Sequence, residues 1–292
     1  MTDTNDMTSI SVLGLGAMGA TIAGALATDG RRVRAWNRTP KNLSDGQVDV
    51  VESPAAAVDD ADLVVVCVRD HAASRAVLEQ IAPHLEGQVV VNLSTGTPAE
   101  AAESAEHAAG LGVRYVTGAV MVPTPLVATE RCVVLYAGDP ADLDQAAPLH
   151  AAMRGTSDVV GTDHAVPPAL DLAMLDIYFA GMYAHLHATA LAAAHGIDPQ
   201  RFLPYAQGIV GTLGASLPDL TASVAARQYD AGQARLDMCL SFLEHIVASS
   251  REAGIDPGLA ELVRAASARA MTSRTPGTDW DVVAEDFLPP SA

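Results

Sequence analysis

With 292 residues the chain is long enough for two domains, and 49% hydrophobic content places it among folded proteins. A net charge of −18 argues against nucleic acid or an anionic membrane as partner, since both are bound through basic surfaces. The three cysteines, Cys67, Cys132 and Cys239, are widely spaced with no C-x-x-C pair, which argues against a disulfide framework or a zinc site; they read as reduced core residues, and no metal is expected.

The first eight or nine residues are polar and acidic, unlike a signal peptide, and read as disordered. Then comes ISVLGLGAMGATIAGALATDG. Ile10 to Leu13 predicts a strand ending at Gly14, and Ala17 to Asp29 predicts a helix. Between them lies Gly14-Leu15-Gly16-Ala17-Met18-Gly19, a G-x-G-x-x-G turn. Its glycines permit the tight turn and the close approach of backbone to a pyrophosphate, while the helix N-terminus faces the phosphates. The motif follows a strand, opens a helix and precedes a second strand, Val33 to Trp36, which is the context of a dinucleotide site.

After that second strand an NAD-binding chain offers a carboxylate to the ribose. This one offers Asn37-Arg38-Thr39-Pro40-Lys41. Guanidinium, hydroxyl and ammonium donors match a 2′-phosphate, so NADPH is the expected cofactor. Five of the 17 cations, Arg31, Arg32, Arg34, Arg38 and Lys41, fall within eleven positions of an otherwise acidic chain, and Lys41 is its single lysine. A solvated basic loop is the plainer alternative.

Further strands are predicted at Val48 to Val51, Leu63 to Val68, Gln88 to Leu93, Val113 to Val116, Arg131 to Ala137 and Asp158 to Gly161, with helices at His71 to His84 and Pro98 to Ala109. This alternation predicts an α/β fold, a largely parallel sheet with helices on both faces. Ligands of such sheets bind beyond the carboxyl ends of the strands, here Gly14 to Gly19, Cys67-Val68 onward to Asp70, and Asn92-Leu93-Ser94-Thr95-Gly96-Thr97-Pro98. The last loop offers an amide, hydroxyls and backbone N–H groups to a nicotinamide or a small polar substrate; Thr97 serves equally well as a helix cap.

Ala169 to His195 reads as one long helix. Pro167 and Pro168 set its start, Gly196 closes it, and Asp198-Pro199 reads as a stop signal. At roughly 40 Å long and apolar nearly all round, it is expected to be buried on several sides and to join two bodies. Asp171, Asp176, His185 and His187 lie inside it, so no membrane span is read there and a cytoplasmic protein is expected. Asp171 and Asp176 point about 140° apart and cannot form one carboxylate pair. The plain reading of Asp171 is an acid in the first helical turn. Beyond this helix everything reads as helical, with spans at Gln233 to Ala253 and Leu259 to Met271. The division implied is 1–165, a nucleotide-binding domain, and 166–292, a helical domain that includes the helix 169–195.

Taken together, GLGAMG, the NRTPK loop, NLSTGTP, GAVMVP from Gly118 to Pro123, the long helix and D-x-A-x-L from Asp171 to Leu175 resemble the NADPH-dependent imine reductases, a branch of the β-hydroxyacid dehydrogenase superfamily. The resemblance covers almost the whole chain. It implies an N-terminal Rossmann domain, a long interdomain helix and an all-helical C-terminal domain exchanged between two subunits, with the active site at the subunit boundary. The activity implied is hydride transfer from NADPH to the C=N bond of an imine.

β-Hydroxyacid dehydrogenases use a lysine on the interdomain helix; here Asp171 stands in its place, and the only lysine is Lys41. A carboxylate there repels an acid substrate and favours an iminium cation. Relatives commonly carry a tyrosine eight residues further on, where this chain has Phe179. Tyr178, about 20° from Asp171 around the helix, is the candidate replacement, with packing an equal reading. The candidate catalytic residues are therefore Asp171 and Tyr178. A β-hydroxyacid dehydrogenase-like oxidoreductase and a non-catalytic NADP(H)-binding sensor are the alternatives.

Overall fold

The computed structural model describes residues 8–41, 43, 46–230, 232, 234–273 and 278–289. It separates into two compact units, Met1–Asp176 and Ile177–Ala292, the division falling inside the long helix.

The first unit is built on one eight-stranded sheet of β1 (Ser9–Leu13), β2 (Arg32–Trp36), β3 (Val48–Val50), β4 (Leu63–Val66), β5 (Val89–Asn92), β6 (Arg114–Val120), β7 (Val133–Ala137) and β8 (Thr156–Val159), in the order β3-β2-β1-β4-β5-β6-β7-β8. All neighbouring pairs are parallel except β6 with β7. The central strands are continuous apolar runs because helices cover both faces, and successive side chains enter different cores. Leu63, Val65, Val89 and Val91 join one cluster; Val64, Val66 and Val90 join the other.

Strand order reverses at β1, whose neighbours β2 and β4 lie on opposite sides, and a crevice opens beyond the carboxyl ends of β1 and β4. Helix α1 (Ala17–Thr28) starts there with Gly16 as N-cap and no side-chain cap, so its first amide groups are left for another partner. Helix α2 (Pro54–Val58) packs on the sheet. Helix α3 (His71–Ile81) is capped by Asp70, whose carboxylate accepts from Ala73 N at 2.8 Å. Helix α4 (Pro98–Gly110) begins with a reciprocal capping box between Thr97 and Glu100, so the Thr97 hydroxyl serves the helix. Two short helices, α5 (Pro140–Gln145) and α6 (Ala147–Met153), complete the unit before the long helix.

Two differences from the sequence-based expectation bear on function. Strand β6 runs four residues past Val116, because Thr117 to Val120 pair with β7, and this carries Thr117-Gly118-Ala119-Val120 into the crevice wall. The long helix α7 spans Val166–Ala194, not 169–195. Proline is tolerated within a first turn, so Pro167 and Pro168 are helical rather than preceding it. Asp171 is consequently its sixth residue, and the first-turn reading of that aspartate does not hold.

In the second unit, Asp198-Pro199 proves to be a start as well as a stop. Asp198 caps α8 (Pro199–Ala226), accepting from Gln200 N at 2.8 Å. Helices α9 (Leu236–Glu252) and α10 (Gly258–Ser273) follow; Gln233, expected to open α9, lies outside the described residues. A 3₁₀ segment at Trp280–Asp286 packs Val282 and Val283 against Tyr229, Leu236 and Ala270. The expected burial of α7 on several sides is not met in this single chain: Ile177, Phe179 and Leu186 are exposed, as are Tyr205, Ile209 and Val210 on α8. Helix α8 is also long and apolar enough, by length and composition only, to cross a membrane.

The crevice depends on Gly14, which has φ +107° and donates its N–H to Trp36 O at 2.8 Å. A Cβ there would lie 2.2 Å from Cys67 O. Gly14→Ala is therefore expected to lower stability by about 1–3 kcal/mol or more, read as an earlier urea midpoint with an unchanged m-value.

Candidate functional site

The crevice of the first unit is a cleft of about 490 Å³. One end is the glycine turn, where Gly14, Gly16, Ala17, Met18 and Gly19 form the wall. A Cβ on Gly19 would lie 2.0 Å from Gly14 O, so strand and helix are in direct contact; a Cβ on Gly16 would meet nothing within 4 Å. The turn is closed behind and open in front, with uncapped helix amides beside it. That arrangement fits a pyrophosphate.

Beside the turn lie Asn37, Arg38 and Thr39. Asn37 locks the two loops together: its Oδ1 accepts from Leu15 N at 2.8 Å and its Nδ2 donates to Thr39 O at 2.7 Å. Arg38 and Thr39 are exposed at the cleft edge, with donors free to meet a ribose phosphate. Lys41 is placed differently from the expectation. Its ammonium donates to Leu15 O at 2.6 Å and it does not line the cleft, so it straps the basic loop to the glycine turn. Leu15 itself turns its side chain into the core, and its backbone N–H and C=O are both taken by these two residues.

The middle wall is formed by Cys67 and Val68 with the adjoining Arg69, by a face of α3, and by the loop after β5. Burial pushes the Cys67 thiol up to about 11, so it remains protonated and unreactive. Ser94 and Thr95 reach the cleft, and Ser94 Oγ accepts from Val68 N at 3.1 Å. Asn92, expected as a contact, is wholly buried and does not line the cleft. Its amide accepts from Ser94 N at 3.0 Å and donates to the Tyr115 hydroxyl at 2.7 Å, so it braces the loop from behind.

At the far end are Thr117 to Val120, Pro168 and Asp171. Asp171 is 8% exposed, and no described residue gives its carboxyl a hydrogen bond or an ion pair. Burial raises its pKa from the ordinary aspartate value. Thr117 is held by His164, with Oγ1 and Nδ1 2.9 Å apart. Tyr178, the expected second catalytic residue, belongs to the second unit, is exposed, rests edge-on against Phe179 and does not line this cleft.

Sequence reading missed His71, Thr117 and the α3 face of Ala73, Ala76, Val77 and Gln80, while Arg69 falls in the Cys67 to Asp70 loop that it names. The α3 set was detectable, since its i, i+3, i+4, i+7 spacing marks one helical stripe. The others were placed by tertiary contacts.

Two family models divide the chain between them: the NAD binding domain of 6-phosphogluconate dehydrogenase matches residues 9–161, and the C-terminal domain described as NADPH-dependent reductive aminase-like matches residues 163–288. An NADPH-dependent reductive aminase of Aspergillus oryzae is 27% identical over 95% of this chain and 96% of its own. A reductive aminase from Aspergillus terreus, solved in complex with NADPH4, cyclohexanone and allyl amine, is 28% identical with a TM-score of 0.90 over 97% of this chain and 100% of its own. An imine reductase from Bacillus cereus is 29% identical with a TM-score of 0.84 over 96% and 99% of the two chains.

The isolated carboxyl of Asp171 carries a stability cost with a definite sign. A raised folded-state pKa means that the ionised form is disfavoured in the native protein, so the cost is absent below about pH 4 and grows as pH rises through the raised value. Asp171→Asn is expected to melt a few degrees above the parent at pH 7, with the advantage disappearing toward pH 3.5, in paired thermal scans across that range.

Proposed function

The chain belongs to the imine reductase and reductive aminase family, with a nucleotide-binding domain of the 6-phosphogluconate dehydrogenase kind, and on that premise we propose that it uses NADPH to reduce C=N bonds. The observation that carries this reading is the pairing, in one cleft, of an open glycine turn at one end with a buried, unpartnered carboxyl at the other. NADPH, when bound, supplies the hydride that the imine carbon receives.

The chain's own residues supply the rest. The glycine turn and the α1 amides hold the pyrophosphate, while Arg38 and Thr39 hold the 2′-phosphate. Because burial raises its pKa, Asp171 can hold a proton at its carboxyl oxygen and pass it to an imine nitrogen. The carboxylate left behind faces an iminium cation, and that charge contact outweighs the desolvation that had favoured the acid. An acid substrate gains nothing from such a group. The one lysine is bonded to Leu15 O, so none serves the chemistry of a β-hydroxyacid dehydrogenase.

The substrate class is therefore a small imine or iminium, including one formed from a ketone and an amine. Following NADPH absorbance with cyclic imines, with amine and ketone pairs, and with 3-hydroxy acids and NADP⁺ tests this. Turnover of 3-hydroxy acids alone would favour the dehydrogenase, and NADPH binding without any turnover would favour the sensor.

A homodimer with exchanged C-terminal helices is part of the proposal. Ile177 and Leu186 on α7, with Tyr205, Ile209 and Val210 on α8, form an apolar exposure larger than scattered surface residues account for, and a second copy would cover it. Tyr178, exposed on α7, would then come under a partner and could furnish a second polar group. The proposal includes a cytoplasmic protein, supported by Asp171 and Asp176, which interrupt the apolar run of α7. Sedimentation should give a dimer at micromolar concentration; a stable, active monomer would contradict it.

Two substitutions test the site. Arg38→Ala should weaken NADPH by roughly 1.5 to 3 kcal/mol, the scale of a charge-assisted hydrogen bond, and leave NADH nearly unchanged. Asp171→Ala should lower kcat by about 10² to 10³ with little change in NADPH affinity. Full imine-reducing activity in Asp171→Ala would remove that residue from the chemistry.

A further inference from the structure

His71 is the least expected member of the cleft wall. It opens α3, it is 1% exposed, and its position is enforced by a glycine across from it: a Cβ on Gly96 would fall 2.3 Å from His71 Cδ2. Both residues line the cleft.

The hydrogen bonds behind the ring determine its protonation. Asn92 Oδ1 accepts from Ser94 N, which fixes the amide with Nδ2 toward the Tyr115 hydroxyl and, at 3.4 Å, toward His71 Nδ1. An amide nitrogen has only hydrogens to present, so Nδ1 lies on the accepting side. The second neighbour agrees. Ser104 Oγ stands 2.9 Å from Nδ1 and accepts from Arg75 Nη1 at 3.2 Å, which leaves its own proton for the imidazole. These neighbours favour the tautomer with its hydrogen on Nε2.

Burial pushes the imidazole pKa down, keeping the ring neutral at pH 7. No described residue accepts from Nε2. Glu100, whose charge is felt at the ring, accepts through Oε2 from Thr97 N at 2.8 Å and Thr97 Oγ1 at 2.9 Å and makes no hydrogen bond to Nε2. A donor with its tautomer set from behind, on the cleft wall and lacking a protein acceptor, is arranged for a ligand.

We propose that His71 is a cofactor-binding residue, donating Nε2–H to the dinucleotide at the Gly96 side of the cleft. The inference rests on the NADPH reading above. It makes the Asn92, Tyr115 and Ser104 cluster a device for aiming one hydrogen bond as well as a brace for Ser94.

Titrating NADPH fluorescence in the intact protein, with thermal melting alongside, tests it. His71→Phe keeps a ring without the donor and should raise the NADPH Kd about tenfold, the scale of one lost hydrogen bond to a ligand. His71→Gln places an amide donor near Nε2 and should stay within about threefold of the parent and melt within a few degrees of it. His71→Phe binding as tightly as the parent would overturn the proposal. So would equal losses in both variants accompanied by a clear fall in Tm, the pattern of a purely structural residue. A parent protein that fails to bind NADPH would overturn the cofactor reading itself, and this inference with it.

Discussion

The contact between the β1 turn and the end of β4 is the constraint on which the cleft depends. Gly14 lies so close to Cys67 O that no side chain fits, and Gly19 lies equally close to Gly14 O. Remove either contact and α1 must back away from the sheet, taking its amide groups with it. Every other feature of the cleft is placed relative to that junction: Asn37 bonds to Leu15 N, Lys41 to Leu15 O, and Val68 N to Ser94 Oγ. Four loops are thus tied in two pairs by backbone acceptors and donors that a strand end would otherwise leave unmet.

Polar groups behind the cleft are as ordered as those in front of it. Asn92, Tyr115, His71 and Ser104 satisfy one another below the surface, and such a network holds its geometry because each unmet member would be costly in a low-dielectric interior. Asp171 is the opposite case. No described residue gives it a partner, it is buried, and a cation beside it would favour its charged form. The cleft therefore combines a rigid cofactor side with a single destabilised group, and binding of a cationic substrate would relieve the second without disturbing the first.

The two units carry these duties unequally. All the residues that line the cleft lie in the first, including the opening turns of α7 that bring Pro168 and Asp171 to it. The second unit has a small core around Tyr229, Leu236 and Val283 and leaves long apolar stretches of α7 and α8 in contact with solvent. A helix of that composition is more costly to expose than to cover, and the proposed second copy would remove that cost.

Much of this was legible in the sequence. Local signals determine the strands, the glycine turn, the capping of α3 and α4 and the absence of a lysine on the long helix, because each depends on residues adjacent in the chain or on the period of one element. The choice of Asp171 as the acidic group comes instead from the resemblance, which sets it where relatives carry a lysine. What only the tertiary structure decided depends on residues far apart. β6 runs on to Val120 because β7 pairs with it; Lys41 turns to Leu15 O, Asn92 is buried behind the cleft and His71 lines it because of what the fold packs beside them. A side chain's chemistry is written in its identity, but whether that chemistry is spent inside the protein or offered to a ligand depends on which partner lies within hydrogen-bonding distance, and only the packed chain determines that.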